Sequence, residues 1–432
     1  MTDFGRAQAP TDPPGRRPGT AVSLPGRTTA PPPPDVEVVV VGGGPGGSAT
    51  AALLAEAGHE VVVLDRARFP RHKACSEYVN PGGVAVLGRL GVLAEVEALG
   101  PHRMAAMRVH APGGQSFLAD YDGVETGRWA LGISRYRLDH LLLRRAEAAG
   151  ASVVEGAHVR GLLIESGAVR GVEATVGGER QSIRARLVVG ADGHHSVVTR
   201  SLGLDAAPRW PRQTGLVAHY RDVAGLDRFG EMHVGRDGYG GLAPLEDGLT
   251  NVAFVSPAAR VAAREGSIAD YFAAGIASLP GMAGRLAGSR VEGSVRGVGP
   301  MAHRATRVAG DGYLLVGDAA YFLDPFTGEG IYAALRAAEL AAPVASVALR
   351  RGEVSASSLA PYRAARRRVF TAKGAVCWIV QGFIHQPSLM DYVTRRLDER
   401  APLGRQLSSV LGNIGPAAPA LSPIFLARLL RP

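Results

Sequence analysis

Val36-Glu37-Val38-Val39-Val40-Val41 runs directly into Gly42-Gly43-Gly44-Pro45-Gly46-Gly47, and this stretch decides the fold. A nearly all-valine run suits a central parallel strand buried on both faces. The glycines match G-x-G-x-x-G at Gly42, Gly44 and Gly47. The first makes a tight turn, the second lets backbone approach a pyrophosphate, and the third permits close helix–strand packing at a positive helix N-terminus. Gly46 to His59 is Ala/Leu-rich and helical, and Glu60–Leu64 repeats the valine run. Asp65 ends that second strand, 18 residues beyond Gly47, where a carboxylate can accept hydrogen bonds from a ribose hydroxyl. Strand, turn, helix, strand and acid together predict a Rossmann-type dinucleotide site containing Gly42, Gly44, Pro45, Gly47, Asp65 and the adjacent Arg66.

The rest of the composition sets limits. The chain has 432 residues, 46% hydrophobic and 20% charged, enough for two or three domains. Its formal charge is +9, and only Lys73 and Lys373 are lysines among the 48 basic residues. Residues 350–432 hold 13 Arg/Lys against 4 Asp/Glu, a net of +9, so the remaining 35 basic and 35 acidic residues cancel. A charge-balanced body excludes a groove-wide nucleic-acid surface. Cys75 and Cys377 cannot make a disulfide framework and fit a reducing, cytoplasmic compartment. The N-terminus carries no apolar h-region, and Val369–Ile384, the longest apolar-looking run, is 16 residues with Lys373 inside it. That falls short of the ~20 residues a bilayer span needs. Arg363, Arg366, Arg367 and Arg368 precede this run, and the chain closes with Ile424-Phe425-Leu426-Ala427-Arg428-Leu429-Leu430-Arg431. Such a region suits a peripheral hold on anionic lipid and equally a helical cap with a solvated Arg face.

Residues 1–34, rich in Pro, Gly and Arg, read as a disordered leader. Ser134–Gly150 reads as an amphipathic helix, Tyr313–Val316 as a buried strand and Gly328–Leu349 as a long Ala-rich helix bent at Pro343. Between about 205 and 300 the texture is short alternating strands such as Val252–Val255, and 360–432 is helical and basic. The expected plan is α/β: a discontinuous Rossmann-type domain over 35–104, 134–204 and 296–350. A β-rich substrate domain takes 105–133 and 205–295, and a helical region takes 351–432.

Two further motifs specify the dinucleotide. Leu187-Val188-Val189-Gly190-Ala191-Asp192-Gly193 is a buried strand entering a polar turn. Gly312-Tyr313-Leu314-Leu315-Val316-Gly317-Asp318-Ala319-Ala320 repeats that plan and continues through Asp324-Pro325-Phe326-Thr327-Gly328-Glu329-Gly330-Ile331 into a helix. Over roughly residues 36–350 the chain resembles the FAD-dependent flavoproteins built on the p-hydroxybenzoate-hydroxylase plan. The resemblance implies FAD bound by Arg135, Asp192, Gly193, Gly317, Asp318, Pro325, Gly328, Gly330 and Ile331 besides the first loop. It also implies NAD(P)H as a transient electron donor without a domain of its own; Gly297-Val298-Gly299-Pro300 follows no apolar strand and reads as a turn. The amides opening the helix near Gly328 would favour negative charge on the reduced ring.

Within that superfamily, Pro325-Phe326-Thr327-Gly328-Glu329-Gly330-Ile331 and Phe69-Pro70-Arg71-His72-Lys73-Ala74-Cys75 resemble the geranylgeranyl reductases. Ser76 stands where their pattern has Gly. Tyr239-Gly240-Gly241-Leu242-Ala243-Pro244 lies where they carry a ring-rich strand over the substrate, with Gly241 and Ala243 at the ring positions, which implies a roomier pocket. Trp129, Trp210 and Trp378 are too scattered for the paired-tryptophan signature of flavin halogenases. Cys75, Glu77, Tyr78 and Tyr239 are the candidates for catalytic roles, with small-residue packing the competing reading for Cys75 and core filling for Tyr239. His194 and His195 read as surface residues, and no metal-ligand spacing accompanies them. The resemblance implies hydride transfer from NAD(P)H-reduced FAD to a C=C bond of an apolar isoprenoid or polyketide-like molecule. The alternatives are hydroxylation of an aromatic or polyketide substrate and, third, flavin binding without turnover.

Overall fold

The computed structural model describes residues 32–121, 127–206, 208, 210–226 and 228–431. The leader expected over 1–34 lies outside them up to Pro31. Strand β1 (Asp35–Val41) leads through the glycine loop into helix α1 (Pro45–Glu56) and out to strand β2 (Val61–Asp65). β1 pairs in parallel with β2 on one side, Val38 opposite Val61, and with Glu179–Gly190 on the other, Val38 opposite Leu187. Ser152–Glu155 and Tyr313–Leu315 extend the sheet in parallel at its two sides, and an antiparallel pair, His158–Glu165 and Ala168–Val176, leans on Glu179–Gly190. The near-continuous valine of β1 is explained by its two covers. Val38 and Val40 pack with α1 and the Gly330–Arg350 helix, while Val39 and Val41 pack with Val172, Ile183 and Leu204 on the opposite face. Fully burying each such side chain contributes about 1.5–3 kcal/mol.

The long helix begins at Gly330 rather than Gly328, because Gly328 sits at φ +64° and ends a short turn over Pro325–Thr327. Its Ala337, Ala341 and Ala345 face packs closely on Ala51 and Leu54 of α1. At 21 residues it is long and apolar enough to cross a membrane by length and composition, more so than the Val369–Ile384 run, yet half of its apolar window is buried in the protein.

A second, seven-stranded sheet runs Arg290–Val298, Gln213–Arg221, Leu249–Pro257, Tyr239–Pro244, Phe229–Val234, Ala106–His110 and Ser116–Asp120. The stretch read as strands throughout also holds the helices Ala258–Ala262, Ile268–Ala277 and Met282–Arg285. The middle one starts on a capping box, Ser267 and Asp270 each accepting from the other's backbone N–H. Its Phe272 and Ile276 cover one face of the sheet beside Phe254. The helices Ala360–Ile384, Pro387–Glu399, Ala401–Leu411 and Pro423–Leu430 cover the other, burying Val376, Val380, Met390 and Val393 against Val109, Phe117 and Val255. The apolar C-terminal region is thus a roof over the second sheet.

Candidate functional site

The glycine loop is shaped by close backbone approaches. Gly42 adopts φ +102°, and a Cβ there would meet the Ala191 carbonyl oxygen at 2.6 Å. A Cβ on Gly47 would lie 1.9 Å from the Gly42 carbonyl oxygen. Gly44 is different: the nearest atom to a Cβ there would be Arg135 Nη2 at 3.8 Å, so its open side is a cradle for a ligand. Asp65 braces the loop, Oδ2 accepting from Gly43 N–H at 2.7 Å and Oδ1 from Ala67 N–H at 2.8 Å.

The loop forms one side of a cleft of about 1100 Å³. Of the cofactor-binding candidates, Gly44, Pro45, Arg135, Gly193, Gly317, Asp318, Pro325, Gly328, Gly330 and Ile331 line it. Gly42, Gly47, Asp65 and Asp192 stand behind the lining, and Arg66 is exposed and outside it. Arg135 is no solvated helix-start charge. It is 5% exposed, and its Nε and Nη2 donate in a fork to the Asp139 carboxylate at 2.6 and 2.7 Å. Arg71 reaches the same carboxylate at 2.9 Å. Burial pushes the Asp318 carboxyl upward, with Lys73 and then Arg135 opposing it. Asp192 is also pushed up by burial, and its Oδ2 accepts from Val197 N–H at 2.6 Å, capping the helix that follows.

The structure corrects the expectation for His194. It lines the cleft, its Nε2 has no partner among the described residues, and burial pulls its pKa down to about 3, so it is a neutral imidazole. His195 is exposed, as read from the sequence. Lys73, Ser76, His194 and Glu329 are lining residues that motif reasoning missed. For Lys73 one signal was available: a lysine in a chain that otherwise uses arginine almost exclusively.

A second cavity of about 730 Å³ opens beside the cleft, and the two share Ser76, Tyr78, Ala253, Val255, Pro325 and Gly328. Its walls are mainly apolar, with Met107, Val109, Ala119, Met232 and the roof residue Leu411. Tyr78 Oη lies 2.5 Å from Tyr121 Oη, and burial raises Tyr78 far above its usual value and Tyr121 to about 12, so both phenols stay neutral. Gly241 and Ala243 do line this cavity, but part of the space freed at Gly241 is taken by Met232, whose Sδ is 3.0 Å from where a Cβ would stand.

The catalytic candidates are placed unequally. Cys75 and Tyr78 line the cleft, and Tyr78 also lines the apolar cavity. Tyr239 lines the apolar cavity as a packed core ring, 1% exposed, with its O–H donating to Asp324 Oδ1 at 2.5 Å. Glu77 lines neither cavity. At φ +55°, it accepts from Arg135 N–H at 2.8 Å through Oε1, while Oε2 takes His219 at 2.6 Å and Asn251 at 2.9 Å. It is a buried brace between the second sheet and the start of the Arg135–Ala148 helix. His110, Glu231 and His233 form a metal-type grouping among the described residues, but the Arg285 fork already sits on the Glu231 carboxylate at 2.6 and 3.0 Å. That makes it an ion-pair cluster.

The glycine cradle at Gly44, the converging cations Arg135 and Lys73, and the amides opening the Gly330–Arg350 helix fit a dinucleotide with a redox ring. The sequence matches the FAD-binding domain family over residues 35–376. It is 31% identical over 323 residues to digeranylgeranylglycerophospholipid reductase 2 of Methanopyrus kandleri, covering 72% of this chain and 76% of that one. It is likewise 31% identical over 306 residues to menaquinone reductase of Mycobacterium tuberculosis, covering 67% and 71%. Among solved structures, a geranylgeranyl bacteriochlorophyll reductase-like protein from Thermoplasma acidophilum superposes with a TM-score of 0.74 at 23% identity, over 85% of this chain and 92% of that one. A flavin-dependent brominase superposes at 0.78 and 19% identity, over 91% and 97%. The last two likenesses speak to the fold. The chain belongs to the FAD-binding domain family. Within it, the protein is an FAD-dependent oxidoreductase of the geranylgeranyl reductase-like group.

Proposed function

We propose that the enzyme uses NAD(P)H to reduce a C=C bond in an apolar isoprenoid or polyketide-like molecule. The observation that carries this reading is the apolar cavity lying directly against the cofactor cleft. FAD supplies the two-electron chemistry that no side chain offers. The chain binds and shields it. Gly42, Gly44, Pro45 and Gly47 cradle the pyrophosphate, Asp65 fixes that loop, and Arg135 and Lys73 bring positive charge to it. Asp192, Gly193, Gly317, Asp318, Pro325, Gly328, Gly330 and Ile331 form the bed for the rest of the cofactor. Tyr78, which lines both the cleft and the apolar cavity, and Cys75, which lines the cleft, are the groups placed to hand a proton to substrate. The apolar walls exclude water and orient the chain of the substrate.

Three further assignments accompany this reading. Residues 35–104, 134–204 and 296–350 serve the cofactor, and 105–133 with 205–295 serve the substrate. The free thiols Cys75 and Cys377 suit the cytoplasm. Contact with anionic lipid falls to the last helix, where Ile424 and Leu430 are 67% and 47% exposed beside Arg428 and Arg431, because Val376, Val380 and Ile384 are spent on the roof.

The test is incubation under argon with NADPH and a panel of geranylgeranyl lipid, menaquinone and aromatic polyketide. A product gaining two hydrogens without oxygen supports the proposal. Product formed only in air, carrying an oxygen atom, or flavin reoxidation without product would overturn it. With the accepted substrate, Ala243→Phe, which narrows the apolar cavity, is expected to lower kcat/KM about tenfold, a loss of about 1.4 kcal/mol. Steady-state kinetics reads this, and the bound-flavin spectrum should be unchanged.

A further inference from the structure

Lys373 belongs to the roof, not to the Rossmann sheet, yet it touches the cofactor loop. It lies on the Ala360–Ile384 helix and is 5% exposed. Its Nζ is 2.5 Å from Glu329 Oε1 and also donates to the Val410 carbonyl oxygen. Glu329 Oε2 faces Cys377 Sγ at 3.6 Å, on the same helix one turn further along. Glu329 is the residue immediately before the Gly330–Arg350 helix, lines the cofactor cleft, and makes no side-chain cap to that helix. A carboxylate at this point carries negative charge into the end of the helix whose first free amides belong to Gly330 and Ile331, both in the cleft lining. Left alone, it would cancel the positive potential those amides present.

We propose that Lys373 is a positioning residue for the redox reaction: by drawing off and neutralising Glu329, it keeps the opening of the Gly330–Arg350 helix positive toward the bound cofactor. The chain's use of lysine agrees with this. Both of its lysines are at the cofactor cleft, Lys73 in the lining and Lys373 on a lining residue, while every other cation is arginine. A compact ammonium can meet one carboxylate oxygen and one carbonyl in a tight space where a planar fork needs more room. The proposal rests on the cofactor cleft and not on the substrate assigned above, so it is tested without substrate.

The experiment is the midpoint potential of bound FAD at pH 7, with thermal unfolding in parallel. Lys373→Met, which exposes the cleft to the Glu329 charge, should disfavour two-electron reduction about tenfold, which lowers the potential by ~30 mV. Glu329→Gln should move it upward. The double variant Glu329→Gln/Lys373→Met, which removes the pair together and guards against a variant that merely fails to fold, should return near the wild-type value. An unchanged potential in Glu329→Gln, or a Lys373→Met protein that melts early at wild-type potential, would reduce the pair to a structural tie and overturn the proposal. A double variant shifted as far as Lys373→Met alone would show that Lys373 does not act through Glu329, and would overturn it equally.

Discussion

Asp139→Asn lowers the unfolding free energy by about 3–5 kcal/mol at pH 7, the size expected when one partner of a buried ion pair is removed. The side chain is fully buried and holds two cations, the Arg135 fork and Arg71. Asparagine keeps the shape but leaves both guanidinium groups without a counter-charge, and Arg135 has little water to turn to. The dependence on pH follows from the same contacts. Burial pushes the Asp139 carboxyl upward, but Arg135 and then Arg71 outweigh it and hold it below the usual range. A carboxylate lowered on folding contributes stability that is fully present above its unfolded value, roughly 3.9. That contribution drains away as pH falls below it. Denaturant unfolding of flavin-saturated wild type and variant should therefore differ by a constant amount from pH 7 down to about pH 5, and by progressively less as pH falls below about 4. A gap that did not shrink below about pH 4 would mean that charge pairing is not what Asp139 supplies.

The second large effect falls on the glycine loop. Gly47→Val yields a colourless protein, with FAD affinity at least a hundredfold weaker, about 2.7 kcal/mol. The added Cβ would have to occupy a point 1.9 Å from the Gly42 carbonyl oxygen, so the turn must open and the helix N-terminus must move away from β1. The contact is with backbone, and no rotamer change relieves it. Gly44→Ala separates folding from binding. Its Cβ has only the tip of Arg135 near it, at 3.8 Å, so the cofactor-free protein should unfold as wild type does. Its affinity for FAD should still drop, because that methyl occupies the approach reserved for the pyrophosphate. Titration of the apo-protein followed at the flavin absorption band reads both variants. Stoichiometric yellow Gly47→Val protein would refute the packing argument.

What the sequence revealed and what it concealed divide along the range of the interactions. The valine run, the glycine loop and Asp65 are local, each dictated by backbone geometry within one strand–turn–helix unit, and they were readable with their boundaries nearly right. The Gly330 helix was misplaced only where a positive φ at Gly328 decides its start. The helices between 258 and 285 were overlooked although Ser267 and Asp270 spelled a capping box, because the glycine-rich texture around them suggested turns. Glu77 was named as a chemical group, but the structure places it outside the lining of both cavities. Its partners His219 and Asn251 come from strands far along the chain, and no spacing rule connects them. The apolar cavity was legible only as two small residues, Gly241 and Ala243. That Met232 leans into the gap is a consequence of strand pairing, which periodicity does not specify.

The scarcity of lysine has a chemical consequence. Reagents that acylate primary amines find two side-chain targets in this chain: Lys73, which lines the cleft, and Lys373, which is paired with the lining residue Glu329. Labelling therefore reports on that cleft almost exclusively. A mass shift at Lys73 reads how open it is, while Lys373, sealed under the roof, stays silent until the C-terminal helices lift. The protein thus carries its own paired footprinting probes, one for occupancy and one for the roof.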